Sequence, residues 1–587
     1  MACITVTVLW KASAFRALRP LSLASSRSFS KRQQAPAAQN FSGYESIQEQ
    51  YKPEVPEYFN FAKDVVDKWA EAEKEGRRPT SPALWWVSEQ GEQVKWTFAE
   101  LALVAKKAAW VLSEQCGLRK GDRVIVILPR IPEWWLLNVA CMRTGTVLIP
   151  GTTQLTATDI LHRIQTSKAR CIITDQALAP AVDAVASKCP SLEFKLIVSR
   201  DPREGWRNFN DLLEHAPAED TCVATKSHDP LAIYFTSGTT GTPKMTEHSH
   251  ASHGIGLDLN GRYWLDLTPL DIIWNTSDTG WAKSAWSSIF APWSQGACVF
   301  VHGMPRFEPQ PVLETLSRFP ITTFCSAPTA YRMLIHHNLT SYKFHSLKHC
   351  VSAGEPMNPE VMEQWKTETG LDIYEGYGQT ETVLICGTFK GMKIKPGSMG
   401  KPSPAYDTQI IDEDCNILSP GKEGDIAIRI KAARPFCLFT QYTDDPERTA
   451  SSVRGDFYIT GDRGMRDEDG YLWFVGRADD VINSAGYRIG PFEVESALIE
   501  HPAVVESAVV SSPDSIRGEL TRSHEGQGSI RQVVGFTDES TLSTSSEGRS
   551  RNRSQFTGLQ LANSGSSTVS TARGIELRCE SLCGFVA

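Results

Sequence analysis

The sequence predicts an α/β protein in which parallel sheets fill most of the chain and a β-rich segment follows them. Apolar strands alternate with helices from about residue 95, and this rhythm indicates parallel sheets covered by helices. Between about residues 395 and 475 the pattern changes to alternating strands separated by Gly and Asp turns, which indicates antiparallel structure. From residue 519 onward the chain is rich in Ser, Thr, Gly and Arg, and this composition predicts disorder.

The elements of the parallel region follow in order. The β-branched run at 123–129 is a strand, residues 133–145 form a helix that ends at a glycine, and residues 146–151 form the next strand. A helix over 159–169 and a strand over 170–175 follow. The same rhythm recurs at 297–303, 312–320, 322–328 and 347–354, and the β-rich segment contains strands at 406–414, 424–431 and 470–477.

Composition argues against several classes of protein. The formal net charge of −8 disfavours a nucleic-acid-binding protein, because such a protein presents a basic face. Fourteen cysteines occur without a C-x-x-C pair, which favours reduced thiols over disulfides or a zinc site. His248, His250 and His253 are close in sequence, but no cysteine or carboxylate at ligand spacing supports a metal site there. No uncharged apolar run reaches the ~18 residues that a transmembrane segment needs.

The N-terminal segment is rich in Arg, Lys and Ser and has no acidic residue before Glu45. Basic, serine-rich segments that exclude acids are typical of organelle transit peptides. Residues 1–45 are therefore predicted to be a mitochondrial transit peptide, with cleavage between residues 25 and 45. A disordered tail is the alternative.

The stretch AIYFTSGTTGTPK at residues 232–244 is the first chemical signal. An apolar strand runs into Gly, Ser and Thr residues and then meets Lys244. Such a loop exposes backbone N–H groups and hydroxyls that can wrap a phosphate, and the lysine adds a positive charge. The Walker A pattern does not match, because Pro243 stands five residues after Gly238. A flexible surface loop is the alternative.

Three further blocks accompany this loop: YEGYGQTET at 374–382, YITGD at 458–462, and GRADDVINSAGYRIGPFEVE at 476–495. Together the four blocks resemble the signature motifs of the ANL superfamily, which contains acyl-CoA synthetases, firefly luciferase and adenylation domains. WNTSDTGWAKSAW at 274–286 is similar to the mitochondrial medium-chain acyl-CoA synthetases. The resemblance extends over about residues 45–518.

The resemblance implies the ANL adenylate-forming fold. Residues 46–477 would form the AMP-binding N-terminal domain, with two parallel-sheet subdomains and a β-barrel-like subdomain. Residues 478–518 would form a truncated α+β C-terminal domain, and residues 519–587 a disordered tail outside the family pattern. Asp479 matches the hinge between the two domains. A monomer or weak oligomer is expected.

The implied activity is medium-chain fatty acid–CoA ligation in the mitochondrial matrix. A carboxylic acid attacks the α-phosphate of MgATP to form acyl-AMP and pyrophosphate, and the thiol of CoA then displaces AMP. The carboxylate is already ionised at pH 7, so the first step needs no general base. Catalysis therefore depends on positioning and on positive charge around the phosphate groups.

Carried over residue by residue, the resemblance implies three catalytic residues, Lys244, Glu381 and Arg477. Glu381 is the expected Mg²⁺ ligand, because this hard cation prefers oxygen. The implied ATP-binding residues are Thr236, Ser237, Gly238, Thr239, Thr240, Gly241, Thr242, Pro243, Lys244, Glu375, Gly376, Tyr377, Gly378, Gln379, Thr380, Asp462 and Arg477. The implied residues for CoA or the acid are Gln154, Trp281, Thr380, Ala485, Gly486, Tyr487, Arg488 and Arg517.

These assignments have structural alternatives. Asp462, expected to bind both ribose hydroxyls, would otherwise be a turn residue. Glu381 would be a favourable charge at a helix N-terminus, and Arg477 and Arg488 would form surface salt bridges. Trp281 and its neighbours Trp274 and Trp286, expected along the acid pocket, would otherwise be core residues.

One feature departs from the family pattern. Family members carry a P-K-T-x-x-G-K motif near the C-terminus, whose lysine contacts the carboxylate and the α-phosphate, but this chain has no lysine after Lys431. Two hypotheses therefore stay open. The first is an acyl-CoA synthetase, with activity impaired in this isoform, and the second is a nucleotide- and acyl-binding pseudoenzyme or non-productive isoform.

Overall fold

The strands of the described residues form three β-sheets. The computed structural model describes residues 38–79, 81–219, 221–236, 243–478, 480, 482–484, 487–489, 491, 494–495, 506–514, 518–527 and 530–535.

The strands of the first 300 residues are β1 Leu84–Val87, β2 Gln93–Trp96, β3 Arg123–Ile127, β4 Val147–Pro150, β5 Cys171–Asp175, β6 Phe194–Val198, β7 Arg207–Asn208, β8 Pro230–Thr236, β9 Lys244–Ser249, β10 Ile272–Asn275 and β11 Cys298–His302. They are followed by β12 Thr323–Ser326, β13 His349–Ala353, β14 Ile373–Gly378, β15 Leu384–Gly387, β16 Ser398–Pro402, β17 Thr408–Ile411, β18 Glu423–Arg429 and β19 Gln441–Tyr442. The last are β20 Val453–Arg454, β21 Phe457–Arg466, β22 Leu472–Arg477, β23 Ile482–Ser484, β24 Tyr487–Ile489, β25 Glu506–Asp514, β26 Gly518–Gln527 and β27 Ile530–Gly535.

The α-helices are α1 Tyr44–Gln50, α2 Lys68–Lys74, α3 Phe98–Trp110, α4 Pro132–Thr144, α5 Ala157–Ser167, α6 Ala179–Ala186, α7 Phe209–His215, α8 Ala282–Ala285, α9 Ala291–Ser294, α10 Pro309–Arg318, α11 Pro328–Ile335, α12 Pro359–Thr369 and α13 Pro446–Ser451. Short π-helical turns lie at Ala62–Asp67, Val111–Gln115, Ala251–Ile255, Asn260–Trp264 and Trp286–Phe290, and a 3₁₀ turn lies at Leu339–Ser341. In the part of the chain that the structure describes, no helix is long and apolar enough to cross a bilayer.

The eight-stranded sheet has the order β19-β9-β8-β4-β3-β5-β6-β7. From β8 to β7 its strands pair in parallel, and both β3 and β5 are largely buried. Parallel strands covered on both faces form continuous apolar runs, which is why the strands predicted at 123–129 and 170–175 coincide with β3 and β5. The helix predicted at 133–145 is α4, and Gly145 ends it with a left-handed φ of 69°.

The fourteen-stranded sheet has the order β17-β18-β21-β22-β16-β15-β14-β13-β12-β10-β11-β1-β2, with β20 paired to β21. The strands from β14 to β1 pair in parallel, and those from β15 to β17 pair antiparallel. Strand β14 joins the two halves, because it pairs in parallel with β13 and antiparallel with β15. The β-rich segment is therefore continuous with a parallel sheet.

The five-stranded sheet has the order β24-β23-β26-β25, with β27 paired to β26. Its β25 and β26 pair over nine residues each, from Glu506 opposite Gly526 to Asp514 opposite Gly518. Strands β26 and β27 lie inside the segment for which composition predicts disorder. Backbone hydrogen bonds between strands require no particular side chain, so this pairing is compatible with a sequence that lacks core residues. Residues 536–587 lie outside the described residues.

Candidate active site

Asp462 lies where three of the sequence blocks meet. It belongs to β21, and its neighbour across the sheet is Arg477 of β22, whose Nη1 atom donates to Asp462 Oδ1 at 2.8 Å. Tyr377 Oη donates to Asp462 Oδ2, and Gln379 Nε2 donates to the same oxygen at 2.6 Å. Asp462 is thus a buried strand residue with three donors, and not a turn residue.

Burial raises the pKa of the Asp462 carboxyl, and the Arg477 guanidinium acts against that shift. Gly461 allows the close approach of these two groups. Its φ is 75°, and a Cβ atom there would lie 3.2 Å from Arg477 Nη2. The Arg477 side chain is 37% exposed, so one side of the ion pair faces solvent.

Lys244 and Glu381 are linked through a tyrosine. Strand β19 places Tyr442 opposite Thr246 of β9, two residues after Lys244. Lys244 Nζ lies 5.2 Å from the centre of the Tyr442 ring, and Tyr442 Oη donates to Glu381 Oε1 at 2.8 Å. A cation, an aromatic ring and a carboxylate therefore follow one another along this side of the site.

Glu381 lies in the turn between β14 and β15 and is 9% exposed. No helix begins there, so the alternative of a charge at a helix N-terminus does not describe it. Its backbone oxygen accepts from Phe439 N at 2.8 Å, which fixes the turn against a distant part of the chain.

The predicted phosphate loop connects two strands. Thr236 ends β8 and pairs with Lys244 at the start of β9, and Pro243 directly precedes that strand. Residues 237–242 lie outside the described residues. The loop is therefore the turn of a β-hairpin whose closing pair is Thr236 and Lys244.

Two histidines support the turn that carries Thr380. His248 Nε2 donates to the Thr380 carbonyl at 2.6 Å, and Ser252 Oγ donates to His248 Nδ1 at 3.0 Å. The His253 ring stacks on His248 at a centroid distance of 3.9 Å, and Trp286 Nε1 donates to His253 Nε2. Burial lowers the pKa of His248 to about 4, so this ring is neutral at pH 7. Among the residues that the structure describes, no three His, Cys, Asp or Glu side chains group to hold a metal ion.

Glu375 of β14 is buried in the strand that leads into the YGQTE block. Met357 N donates to its Oε1 atom at 3.4 Å, and its Oε2 atom has no hydrogen-bond partner within the described residues. Burial raises the pKa of Glu375 to about 8, so its carboxyl is mostly protonated at neutral pH. The next residue, Gly376, lies against the Trp264 indole, and a Cβ atom there would come within 2.6 Å of that ring.

The other residues predicted for ATP and the acid lie in different surroundings. Gly378 ends β14, and a Cβ atom there would come within 2.5 Å of the Val383 carbonyl oxygen. Gln154 lies in a turn, where its backbone N donates to Thr152 Oγ1 at 3.1 Å. Trp281 is 39% exposed.

The tryptophans near Trp281 have different roles from the one predicted. Trp274 is fully buried against Phe300 and Phe324, because the strand β10 directs it into the core, so it is a core residue. Trp286 is half-buried and donates to a histidine.

The residues predicted for CoA are described only in part. Tyr487 and Arg488 lie in β24, opposite Ser484 and Asn483 of β23. Ala485, Gly486, Arg517 and the predicted hinge Asp479 lie outside the described residues.

Sequence reasoning missed Tyr442 and the support from His248. Tyr442 lies in a two-residue strand that has no periodic signal. The spacing of the three histidines suggests only a test for metal binding and gives no sign of a supporting role. The support from His248 depends on a contact between residues 248 and 380, which are too far apart in sequence for a local pattern to reveal.

Comparisons with known proteins agree with this geometry. The AMP-binding enzyme family matches residues 71–433, and the AMP-binding enzyme C-terminal domain matches residues 493–522. The chain is 64% identical over 522 residues to the mitochondrial acyl-coenzyme A synthetase ACSM3 of Pongo abelii, which covers 89% of each chain. It is 61% identical over 496 residues to the mitochondrial acyl-coenzyme A synthetase ACSM4 of Mus musculus, which covers 84% of this chain and 85% of that relative.

Among solved structures, the anthranilate CoA ligase AuaEII in complex with anthranoyl-AMP superposes with a TM-score of 0.73. It is 27% identical to this chain, and the match covers 80% of this chain and 87% of the ligase. The α/β fold and the family predicted from the four motifs are both confirmed. The chain belongs to the AMP-binding enzyme family of the ANL superfamily, among the mitochondrial acyl-coenzyme A synthetases.

Proposed function

We propose that this chain is an ATP-dependent acid–thiol ligase that converts a medium-chain fatty acid to its CoA thioester. The observation that carries the proposal is the Asp462 carboxylate, held by Tyr377, Gln379 and Arg477 at the meeting point of three family motifs. An oriented, buried carboxylate is suited to bind the hydroxyls of a ribose.

The ribose contact follows from the acceptor positions of Asp462. A carboxylate has about four acceptor positions, and Asp462 uses three of them for its present donors. One ribose hydroxyl can take the remaining position on Oδ1. A second hydroxyl requires one of the donors to move, and the Arg477 side chain, which is 37% exposed, has solvent on one side.

The polyphosphate lies, in this proposal, along the hairpin loop that Thr236 and Lys244 close. Lys244 supplies positive charge to the phosphate groups, and the N–H groups of the loop add hydrogen-bond donors. The acid is an anion at pH 7, so its approach to the polyphosphate requires this positive charge. Thr380, whose carbonyl is fixed by His248, positions the acid and the α-phosphate.

The residues present fit a magnesium ion that arrives with ATP. Mg²⁺ in nucleotide sites is held by one or two carboxylates together with phosphate oxygens and water. Glu381 is one such carboxylate, and Tyr442 orients it by donating to Oε1. The ion would neutralise phosphate charge. The chain's own contribution is to hold Glu381 on the Lys244 side of the site.

The second half-reaction would bring the CoA thiol to the acyl-AMP. We assign Ala485, Gly486, Tyr487 and Arg488 to CoA contact by their match to the family motif, with Gln154 and Arg517 as further contacts. Asp479 is the proposed hinge, and Trp281 a wall of the acid pocket. The basic N-terminal segment and the mitochondrial relatives support a mitochondrial enzyme, and we propose the matrix as its compartment. We propose a monomer or weak oligomer.

A pseudoenzyme that binds nucleotide without ligation is the second candidate. It is favoured by one observation, the absence of lysine after Lys431 in a family whose C-terminal motif contributes a lysine to adenylation. Loss of one preorganised electrostatic contact typically costs about 10²–10³ in rate.

The two candidates differ in pyrophosphate release. We expect purified protein with MgATP to release pyrophosphate on addition of butyrate, hexanoate or octanoate, and Lys244→Met to lower that rate by about 10² or more. No release at high enzyme concentration, with ATP binding intact, would favour the pseudoenzyme. Preformed octanoyl-AMP with CoA then tests whether thioester formation survives on its own. A protein that binds no ATP in excess magnesium would overturn both candidates.

A further inference from the structure

Tyr442 contacts both of the charged residues that the proposed function assigns to the phosphate groups and to magnesium. Its hydroxyl donates to Glu381 Oε1 at 2.8 Å, and Lys244 Nζ lies 5.2 Å from the centre of its ring. Only 5% of the tyrosine is exposed. The ring is therefore enclosed by protein, and its contacts with the two charged groups form part of the packed interior.

The backbone on either side of Tyr442 is fixed to the phosphate hairpin. On one side, Thr440 N donates to the Glu247 carbonyl at 2.8 Å. On the other side, Thr443 N donates to the Met245 carbonyl at 2.8 Å. Both acceptors belong to β9, the strand that begins with the phosphate lysine. The position of the tyrosine ring is therefore set relative to the strand that carries this lysine.

The same segment is fixed to the turn that carries the proposed magnesium ligand. Phe439 N donates to the Glu381 carbonyl at 2.8 Å, while the Tyr442 hydroxyl donates to the Glu381 side chain. The Phe439 ring is fully buried and packs against the Tyr442 ring at a centroid distance of 4.8 Å. The backbone and the side chain of Glu381 are thus both held by residues 439–442, and this packing restricts movement of the phenol.

The tyrosine hydroxyl acts as a donor throughout the neutral pH range. Burial, together with the negative charge of Glu381, raises the pKa of Tyr442 well above its usual range, so the phenol stays protonated. In the part of the chain that the structure describes, no other group donates to the Glu381 carboxylate. The hydrogen bond engages Oε1 and restricts rotation of the carboxylate, and Oε2 is left for a cation.

The ring of Tyr442 acts on the lysine in a different way. The negative face of an aromatic ring attracts an ammonium group without neutralising its charge. Lys244 forms no ion pair with a carboxylate of the described residues, so its charge stays available for phosphate groups. The two contacts of Tyr442 are therefore chemically separable, because the ring serves the lysine and the hydroxyl serves the carboxylate.

We propose that Tyr442 sets the magnesium requirement of this site, as a positioning residue that holds the Glu381 carboxylate in the orientation that the ion needs. Without the hydroxyl, a nearly buried carboxylate loses its donor and can rotate. Hydrogen-bond partners of metal ligands typically contribute about 10- to 100-fold to metal affinity. The inference rests on the proposed function, because it presumes that Glu381 binds magnesium at an ATP site.

The test measures ATP binding by calorimetry over a series of magnesium concentrations, and again with the metal removed by a chelator. This readout reports metal and nucleotide binding without requiring catalysis. Tyr442→Phe removes the hydroxyl and keeps the ring against Lys244. Tyr58→Phe, at a 54% exposed tyrosine, is the matched control.

We expect Tyr442→Phe to raise the magnesium concentration that gives half of the metal-dependent gain in ATP affinity by about tenfold or more, while metal-free ATP affinity changes by less than about twofold. Tyr58→Phe should behave as the wild type. An unchanged magnesium requirement, or an equal loss of ATP affinity with and without the metal, would mean that the hydroxyl only stabilises the fold and would overturn the inference.

Tyr442→His serves if the phenylalanine variant does not fold, because its ring N–H group can hydrogen-bond to water but ends short of Glu381. The magnesium requirement should again rise, and an unchanged requirement contradicts the inference. Failure of the proposed function has a different signature: the wild type would then bind no ATP at any magnesium concentration.

Discussion

At the scale of single residues, the site depends on polar groups whose surroundings fix their charge and direction. Asp462 is buried and held by three donors, so its carboxylate cannot reorient freely. His248 is neutral and presents its Nε2 proton to one backbone oxygen. Such preorganised groups need little rearrangement when a ligand arrives, which favours tight nucleotide binding.

Substitution of Asp462 tests the ribose contact. Asp462→Asn keeps the shape of the side chain but removes the charge that faces Arg477 and the ribose hydroxyls. Because hydrogen bonds to charged groups contribute about 1.5–3 kcal/mol, we expect ATP affinity to fall roughly 10- to 150-fold in calorimetry. The control is Asp469→Asn, which changes a 67% exposed carboxylate in the turn between β21 and β22. Equal ATP affinities in the two variants would contradict the assignment.

Substitution of Glu375 tests its protonation. Its folded-state pKa of about 8 lies above the usual value of 4.5, so the unfolded chain ionises first as pH rises. Stability is therefore lost between about pH 4.5 and pH 8, and that loss reaches several kcal/mol, roughly 5 at most. Glu375→Gln cannot ionise and should remove this part of the pH dependence. Thermal melts of both proteins at pH 5 and pH 8 measure the difference, and parallel pH profiles would show that Glu375 is charged in the folded protein.

At the scale of elements, a short N-terminal segment is bound to the body of the domain. Backbone N–H groups of Gln39 and Asn40 donate to the Asp266 carboxylate at 2.9–3.0 Å, and Lys390 Nζ lies 3.0 Å from the same group. The Asp266 and Lys390 side chains are almost completely buried. The predicted cleavage range of 25–45 includes Gln39, so only processing N-terminal of Gln39 keeps these contacts.

Two shortened chains test the importance of this segment. A protein that begins at residue 37 keeps all the contacts, whereas one that begins at residue 42 leaves the buried Asp266 without its backbone donors. We expect the shorter protein to melt at a lower temperature, because the buried Asp266 carboxylate keeps the Lys390 ion pair but loses hydrogen-bond donors, at a cost of about 1–3 kcal/mol or more. Differential scanning calorimetry compares the two. Equal melting temperatures would mean that water or other groups replace the lost donors.

Elements of the parallel sheets could be predicted because their physical signal is local. Strand β3 is a continuous apolar run, and α4 ends at Gly145, whose φ of 69° suits a residue without a side chain. Composition predicts a loop after a buried strand at 236–244, but it does not predict that the strands on either side pair as a hairpin. Tyr442 could not be predicted, because its proximity to Glu381 depends on pairing between β19 and β9.

At the scale of the whole molecule, motif spacing identified the family, and the resemblance supplied most of the candidate site. The contacts that complete the site join residues far apart in sequence, such as Tyr377 with Asp462 and His248 with Thr380. No periodicity in a single chain encodes such pairs, since they form between distant strands of one sheet or between two sheets. The contacts of Lys283 with the Ser326 and Ala353 carbonyls are of the same kind, because they depend on where strands β12 and β13 end.

The continuity of the large sheet has a mechanical consequence. Tyr377 belongs to β14, at the seam between parallel and antiparallel pairing, and Asp462 belongs to β21 in the antiparallel half. A slight change in the twist of the antiparallel strands would move the Asp462 carboxylate relative to both Tyr377 and Gln379. In the proposed site, strain at the far edge of the antiparallel half would reach the ribose contact of Asp462 through the backbone hydrogen bonds of the sheet.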